Sequence, residues 1–389
     1  MKDFIFENST KVYFGKGCVN TCLPEILKNY GKNVMLGYGT GSIKKNGIYD
    51  QVISVLEDSG KNVIEFSGIM ANPTYEKMME GRKLAREKDI DLILAVGGGS
   101  VMDCCKAIAM TAFYDGEPWD EYWAKKGTIN HKPIPLGIVV TAAATGSEVN
   151  GGSVLTNTET GIKTDIDYVE ANAQFSLLDP EYTYSVSMKQ LRAGSFDILS
   201  HIMETYFSGP DDGNVSDDIS EALMKNTIEN MRKAIADPED YNARSNLMWD
   251  SSMAENRIIK MGKDKDFQAH NMEHQLSAFT DCNHGEGLAV LHPVYYHHIY
   301  KDGLGKFVRF ARNVWGIQQG SMTDEEMALA GIQALEDFIK ESGLPSSLTE
   351  MGITDKEILK KAADSSGISK GAYRQLDHDE IYQIYLECL

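Results

Sequence analysis

The hydrophobic positions fall into two regimes along the chain. From residue 1 to about 187, short β-type runs alternate with segments whose apolar residues recur every three to four positions. That alternation predicts a parallel, doubly wound α/β sheet. Lys32–Leu36 reads as a strand, Gly37–Ser42 as a tight turn, and the segment after Ile43 as a helix burying Ile48, Val52, Ile53 and Leu56. Asn62–Phe66 is the next strand, and Asn72-Pro73 opens a helix through Lys88. Asp91–Val96 is a buried-type strand that runs into Gly97-Gly98-Gly99-Ser100 and a helix over Val101–Met110, and a further apolar run spans Ile134–Val140. Beyond about residue 188 long helical periods take over, at 188–207, 216–235, 243–261, 267–279, 286–300, 305–315, 324–341 and 355–366. The expectation is an α/β domain over 1–187 and an all-α domain over 188–389.

The helical half carries the sharpest chemical pattern. Asp197 and His201 stand four residues apart in a helical segment, so both project from one face. Further on, His270, His274 and His284 fall within fifteen residues. A straight helix would hold His270 and His284 roughly 21 Å apart, so the helix must break between them if both are to meet one ion. Asp281-Cys282-Asn283 and Gly285 are residues that favour such a break. Asp197, His201, His270 and His284 then form a one-carboxylate, three-imidazole set for a divalent cation, with His274 beside it as a proton relay. Taken alone, an Asp-x-x-x-His pair is usually an ordinary helix-surface pair. Its coincidence with the histidine cluster and the glycine-rich turns upstream favours the metal site.

Those turns suit an anionic ligand. Gly39-Thr40-Gly41-Ser42 offers backbone amides after a strand, though not in the G-x-G-x-x-G spacing. No acidic residue stands at that strand end to bind a ribose 2′-hydroxyl, whereas Ser42, Lys44 and Lys45 follow directly, which favours a 2′-phosphate and hence NADP(H). Three consecutive glycines, Gly97 to Gly99, are costly in chain entropy unless the backbone must touch something, and a pyrophosphate is the obvious ligand. Thr141 and Thr145 follow the next strand, where hydroxyls suit a cofactor or plain helix capping equally.

Composition narrows the partners. A net charge of −19 without a large Lys/Arg cluster argues against nucleic acid or an anionic membrane. The N-terminal residues carry no basic region followed by a long apolar run, so a cytoplasmic protein is expected. Six scattered cysteines in a chain of 389 residues read as reduced thiols.

With these motifs in view, the chain resembles the iron-dependent (group III) alcohol dehydrogenases, and within them the butanol dehydrogenase/aldehyde reductase branch. The resemblance rests on Tyr38–Gly47, Asn72-Pro73, Ala95–Asp103, Thr145–Glu148 and the Asp-x3-His and His-x3-His-x9-His sets. It implies a dehydroquinate synthase-like fold, with an α/β dinucleotide-binding domain followed by a helical metal-binding domain. It implies that Asp197, His201, His270 and His284 hold the metal and that His274 lies near substrate and cofactor. Gly97, Gly98, Gly99, Ser100, Asp103, Thr141 and Thr145 would contact the dinucleotide, with Asn72 and Lys163 among the further contacts. Gly39, Thr40, Gly41, Ser42 and Lys45, in a turn without aspartate, look like the NADP-using branch. The implied reaction is reversible hydride transfer between a primary alcohol and its aldehyde, with Fe2+ or Zn2+ (Ni2+ or Mn2+ also suited), in a homodimer. Rival readings are a metal-dependent lyase of the dehydroquinate synthase type, an NAD-dependent polyol dehydrogenase and a non-catalytic metal or nucleotide sensor. Two departures from the family pattern are the acidic segment Asp165–Gln174 and His292 at a commonly apolar position.

Overall fold

A computed structural model describes every residue from Met1 to Leu389. The chain forms two compact units, Glu7–Val186 and Ser187–Leu389, the latter joined by Met1–Phe6. The first six residues thus group with the helical unit rather than with the α/β unit that follows them.

The α/β unit comprises β1 (Lys11–Phe14), α1 (Cys18–Leu27), β2 (Asn33–Tyr38), α2 (Ser42–Lys45), α3 (Ile48–Asp58), β3 (Asn62–Phe66), α4 (Tyr75–Glu87), β4 (Leu92–Gly97), α5 (Gly99–Thr111), β5 (Leu136–Val140), β6 (Gly152–Asn157), β7 (Ile162–Asp167) and β8 (Phe175–Leu178). Six strands form one parallel sheet in the order β1-β8-β5-β4-β2-β3, and β6 and β7 form a separate antiparallel hairpin. Every residue of β4 is buried, as a strand covered on both faces requires, whereas the edge strands β1 and β3 are only partly so. The helix expected after Ile43 is two pieces, because Gly47 adopts φ +80° between α2 and α3. Ile53, expected in the core, is only half-buried.

This topology locates a crevice. The chain leaves β2 through α3 toward the sheet edge at β3, and leaves β4 through α5 in the opposite direction toward β5. Right-handed crossovers running in opposite directions along the sheet put α3 and α5 on opposite faces, where α3 packs on α1 and α5 on α4. The strand order therefore switches direction between β2 and β4, which is where open α/β sheets bind ligands at their carboxyl ends. The turns at that point are Gly39–Ser42 and Gly97–Ser100.

The helical unit contains α6 (Met188–Tyr206), α7 (Val215–Ala236), α8 (Tyr241–Glu255), α9 (Gln268–Thr280), α10 (His284–Ile299), α11 (Leu304–Asn313), α12 (Asp324–Glu341), α13 (Lys356–Ser365) and α14 (His378–Glu387). The segment expected as one helix over 243–261 stops at Glu255, and Arg257 turns into the left-handed region at φ +77°. Helix α14 was not anticipated from periodicity, although Asp377 and Glu380 form a reciprocal capping box at its start. All six cysteines are free thiols, and no helix is long and apolar enough to cross a membrane.

Asp250 couples the packing of α7 and α8 to pH. Its carboxylate accepts hydrogen bonds from Asn226 Nδ2 at 3.0 Å and Thr227 Oγ1 at 3.1 Å. Burial nevertheless pushes its pKa up to about 6, because those two donors offset only part of the lost solvation. A carboxyl whose pKa is higher folded than unfolded adds stability when protonated, and that contribution fades as pH rises through about 6. Replacing Asp250 with Asn should therefore stabilise the protein more at pH 7.5 than at pH 5, by on the order of 1 kcal/mol. Denaturant melts at the two pH values check this; an Asp250→Asn effect equal at both would contradict it.

Candidate metal centre and dinucleotide site

Helix α6 presents Asp197 and His201 one turn apart, and both are buried. Helix α9 presents His270, Glu273 and His274. It ends at Asp281, in the left-handed conformation at φ +52°, and the chain turns through Cys282 to Asn283, whose side chain caps α10 by accepting from the Glu286 amide at 3.2 Å. His284 is thereby the first residue of α10. Gly285 does not make the break that the sequence suggested for it; it lies inside α10, where a Cβ would overlap the Ala193 carbonyl of α6. A Cβ on Gly287 would stand 3.0 Å from Glu273 Cγ. The two glycines let the start of α10 approach both α6 and α9 closely enough to deliver His284.

The result is a convergence on a single oxygen. Asp197 Oδ1 has His201 Nδ1 at 3.5 Å, His270 Nε2 at 3.6 Å and His284 Nε2 at 3.6 Å. These separations are too long for hydrogen bonds. Each matches the spacing of two ligands around one ion, about 3.3–3.6 Å for metal–ligand bonds of about 2.0–2.2 Å; the ligand atoms of Asp197, His201 and His270 all lie within 4.8 Å of one another, and those of His284, Glu273 and His274 form a second such group. Asp197 Oδ1, His201 Nδ1 and His270 Nε2 are moreover buried without a hydrogen-bond partner. Unpaired polar atoms are rare in protein interiors, and three aimed at one another call for a shared cation. The donor set therefore fits a divalent metal.

Two carboxylates stand behind the imidazoles. Glu204, fully buried one turn beyond His201, accepts from His270 Nδ1 and from the His270 amide, the latter at 3.1 Å. Glu273, also fully buried, bonds to His284 Nδ1. Each fixes its partner's tautomer so that Nε2 faces Asp197. Sequence reading missed both. Glu204 falls on the same helical face as Asp197 and His201, seven and three residues on, and Glu273 sits between two of the histidines, so the spacing carried a signal.

Electrostatics follow from this crowding. Burial pushes the Asp197 carboxyl up, yet His201, His284 and His270 outweigh it and hold it well below the usual carboxylate range. Burial pushes His270 down, but Glu204 and Asp197 together raise it to about 10. Burial lowers His201 against the pull of Asp197. His274 is buried, its ring 6.0 Å from His270 and 5.6 Å from His284. The departure His292 is fully buried, shares a 2.7 Å hydrogen bond with Ser200 and is pushed down to about 4 by burial.

The candidate cofactor residues lie in the α/β unit. Close packing within the protein already requires two of the three consecutive glycines: a Cβ on Gly97 would stand 2.6 Å from Val101 Cβ, and one on Gly99 would stand 2.6 Å from Thr145. None of the three adopts a positive φ. Thr141 donates its amide to Gly97 O at 3.0 Å, which ties the end of β5 to the end of β4. Asp103 points into the protein, accepting from Ser147 Oγ at 2.6 Å and from the Val154 amide at 3.1 Å. Lys106, fully buried, donates to Ser147 Oγ, Asn150 Oδ1 and Gly152 O at 2.8, 3.0 and 2.9 Å and locks the same segment. Lys163 on β7 reaches Asn72 Oδ1 at 3.0 Å and so brings together two residues far apart in sequence.

At the first turn strand pairing adds a group that no single strand reveals. Glu65, near the end of the neighbouring strand β3, lies 3.2 Å from Lys44 Nζ and accepts from the hydroxyls of Tyr38 and Tyr49. The Tyr38, Tyr49 and Lys44 donors hold its carboxyl below the usual range. Lys44 also lies over the rings of Tyr49 and Tyr38, at 4.2 and 5.1 Å. A carboxylate thus accompanies this turn, and only Ser42 and Lys45 remain of the three cationic or hydroxyl groups that sequence reading offered to a phosphate.

A doubly wound dinucleotide-type sheet, followed by helices that gather one carboxylate and three imidazoles, defines a metal- and nucleotide-dependent class of enzyme. Residues 9–180 match the family described as iron-containing alcohol dehydrogenase, and residues 192–389 match the C-terminal domain of the Fe-containing alcohol dehydrogenase family. The chain belongs to the iron-containing alcohol dehydrogenases, a family that implies a metal and a nicotinamide cofactor. It is 39% identical to NADH-dependent butanol dehydrogenase A of Clostridium acetobutylicum, over 99% of each chain. It is 34% identical to the NADPH-dependent aldehyde reductase YqhD of Escherichia coli, also over 99% of each. The crystal structure of NADH-dependent butanol dehydrogenase A from Thermotoga maritima superposes with a TM-score of 0.93 at 34% identity, covering 100% of this chain and 99% of that one.

If Glu204 and Glu273 orient the ligands, Glu204→Gln and Glu273→Gln should each weaken metal affinity by about 10–100-fold without unfolding the protein. Competition with a chelator of known affinity measures it, and unchanged retention in both variants would remove the carboxylates from the metal site.

Proposed function

We propose that the protein is a metal-dependent alcohol dehydrogenase/aldehyde reductase that interconverts primary alcohols of the butanol type with their aldehydes by hydride transfer with NADP(H). The observation that carries this reading is the convergence of His201, His270 and His284 on the buried Asp197 Oδ1, in a chain of this family. Those four residues would hold Fe2+ or Zn2+, with Ni2+ and Mn2+ also suited to an imidazole-rich set. Such an ion, when bound, supplies Lewis-acid stabilisation to the oxygen of the alcohol or aldehyde.

The remaining work falls to the chain's own groups. Glu204 and Glu273 hold the ligand imidazoles in one tautomer, which spares the site any reorganisation during reaction. His274, one helical turn from His270, is placed to carry the hydroxyl proton. The crevice between the ends of β2 and β4 receives the dinucleotide, with Gly39, Thr40, Gly41, Ser42, Lys45, Asn72, Gly97, Gly98, Gly99, Ser100, Asp103, Thr141, Thr145 and Lys163 as its surroundings. The proposal includes a cytoplasmic homodimer of the kind usual in the family, for which molar mass in solution is the check.

On the cofactor, the exposed Lys45 and Ser42 support NADP(H). NAD(H) is the second reading, favoured by the Glu65 carboxylate beside Lys44, and the relatives divide by name between the two.

The test is oxidation of NADPH and of NADH with butyraldehyde, on protein stripped of metal and reloaded with Fe2+ or Zn2+. Metal-dependent oxidation is expected, faster with NADPH and lost in His201→Ala. Absence of oxidation with metal bound would overturn the reaction, whereas a preference for NADH would overturn the 2′-phosphate reading alone. Glu65→Gln should raise the NADPH-to-NADH ratio of kcat/KM by about tenfold, since it removes a negative charge near the phosphate; an unchanged ratio would exclude Glu65 from the selection.

A further inference from the structure

Phe267 occupies the position immediately before α9, where a helix ordinarily starts on Ser, Thr, Asp or Asn. It makes no side-chain cap, and its backbone is left-handed at φ +57°, a conformation that bulky side chains rarely adopt. Glycine or asparagine would satisfy that backbone without strain.

The neighbours hold this conformation from both sides. The Asp266 amide donates to Glu204 O at 3.2 Å, and its carboxylate accepts from the Gln268 amide at 3.0 Å and from Tyr295 Oη at 2.5 Å. The Gln268 side chain is fixed in turn by the Ser369 amide at 2.8 Å and Gly367 O at 3.0 Å. Backbone strain that is so firmly over-determined is typical of functional sites, and here it aims one aromatic ring.

That ring stands beside the metal ligands. Its centroid lies 5.4 Å from the His270 ring and 6.3 Å from the His201 ring. Lys260 Nζ lies over it at 4.9 Å, with its charge matched by the buried Glu255 at 2.6 Å. Phe267 is only half-buried, unlike His201 and His270. With Lys260 over the ring, the part of Phe267 left exposed is an apolar edge next to two imidazoles of the candidate set, where the hydrocarbon part of a small substrate would rest.

We propose that Phe267 is the residue that sets the size and branching of the alkyl group accepted at the metal centre. The inference rests on the aldehyde–alcohol reading above and deepens it. Asp197, His201, His270 and His284 would hold the ion that takes the polar end of the substrate, and the substrate's chain packs on the Phe267 ring, so the space left by that ring selects among aldehydes.

Phe267→Gly removes the ring while suiting the left-handed backbone, and Phe267→Trp enlarges the surface. Both variants, with the wild type, are assayed for metal content and for kcat/KM on propionaldehyde, hexanal and isobutyraldehyde. The ratio of isobutyraldehyde to propionaldehyde should change by about tenfold, rising in Phe267→Gly and falling in Phe267→Trp, with the change in KM and one metal retained per chain. Equal ratios in all three proteins would overturn the proposal. So would a loss of metal that lowers every substrate together, since the ring would then only support the imidazoles. A wild type that binds metal yet reduces none of these aldehydes would remove the functional reading itself, and this proposal with it.

Discussion

A carboxylate oxygen buried among three imidazole nitrogens, none close enough to bond it, is the constraint on which the helical unit depends. Left alone, Asp197 Oδ1, His201 Nδ1 and His270 Nε2 would be desolvated polar atoms without partners, each costing on the order of 1–3 kcal/mol. A shared cation would convert that cost into binding. Three helices must bring their ligands to one point, and the close contacts at Gly285 and Gly287 are what bring α10 to α6 and α9. The carboxylates of Glu204 and Glu273 complete the arrangement by directing the imidazoles. The same helix, α9, starts on the left-handed Phe267, between the hydrogen-bonded Asp266 and Gln268.

The α/β unit solves a different problem with the same residue type. Its consecutive glycines admit the side chains of Val101 and Thr145, so that the ends of β4 and β5 and the start of α5 close on one another. Lys106 and Asp103 then tie α5 to the segment from Ser147 to Val154 through buried hydrogen bonds. The turn that is poised at the direction switch of the sheet is rigid because the protein fills the space around it. A backbone so placed offers amides at a fixed position.

Much of this was legible in the sequence, for identifiable reasons. The convergence of Asp197, His201, His270 and His284 could be read because i, i+4 spacing fixes a helix face and because Asp281 to Asn283 announce a break. The parallel sheet could be read from β-type runs alternating with helical periods. What escaped depends on contacts between elements distant in sequence. Glu65 acts beside Lys44 through strand pairing of β2 with β3, which a strand taken singly cannot reveal. The glycine triplet was read as ligand contact when packing against Val101 and Thr145 already demands two of its members. Gly285 was read as a helix breaker, though its role is close approach. Glu204 and Glu273 were missed although their spacing was regular, because a carboxylate on a helix is ordinary until its partner is known. Helix α14 is announced in the sequence by its capping box, Asp377 with Glu380, rather than by its apolar period.

Four side chains from α6, α9 and α10 converge as one candidate metal site. Titration of metal-free protein with Co2+, followed by its ligand-field absorption, tests it most directly. One tightly bound ion per chain is expected, with the intense bands of a low-coordinate nitrogen–oxygen site that are lost in Asp197→Ala. Absence of tight binding, or a spectrum that Asp197→Ala leaves unchanged, would contradict it.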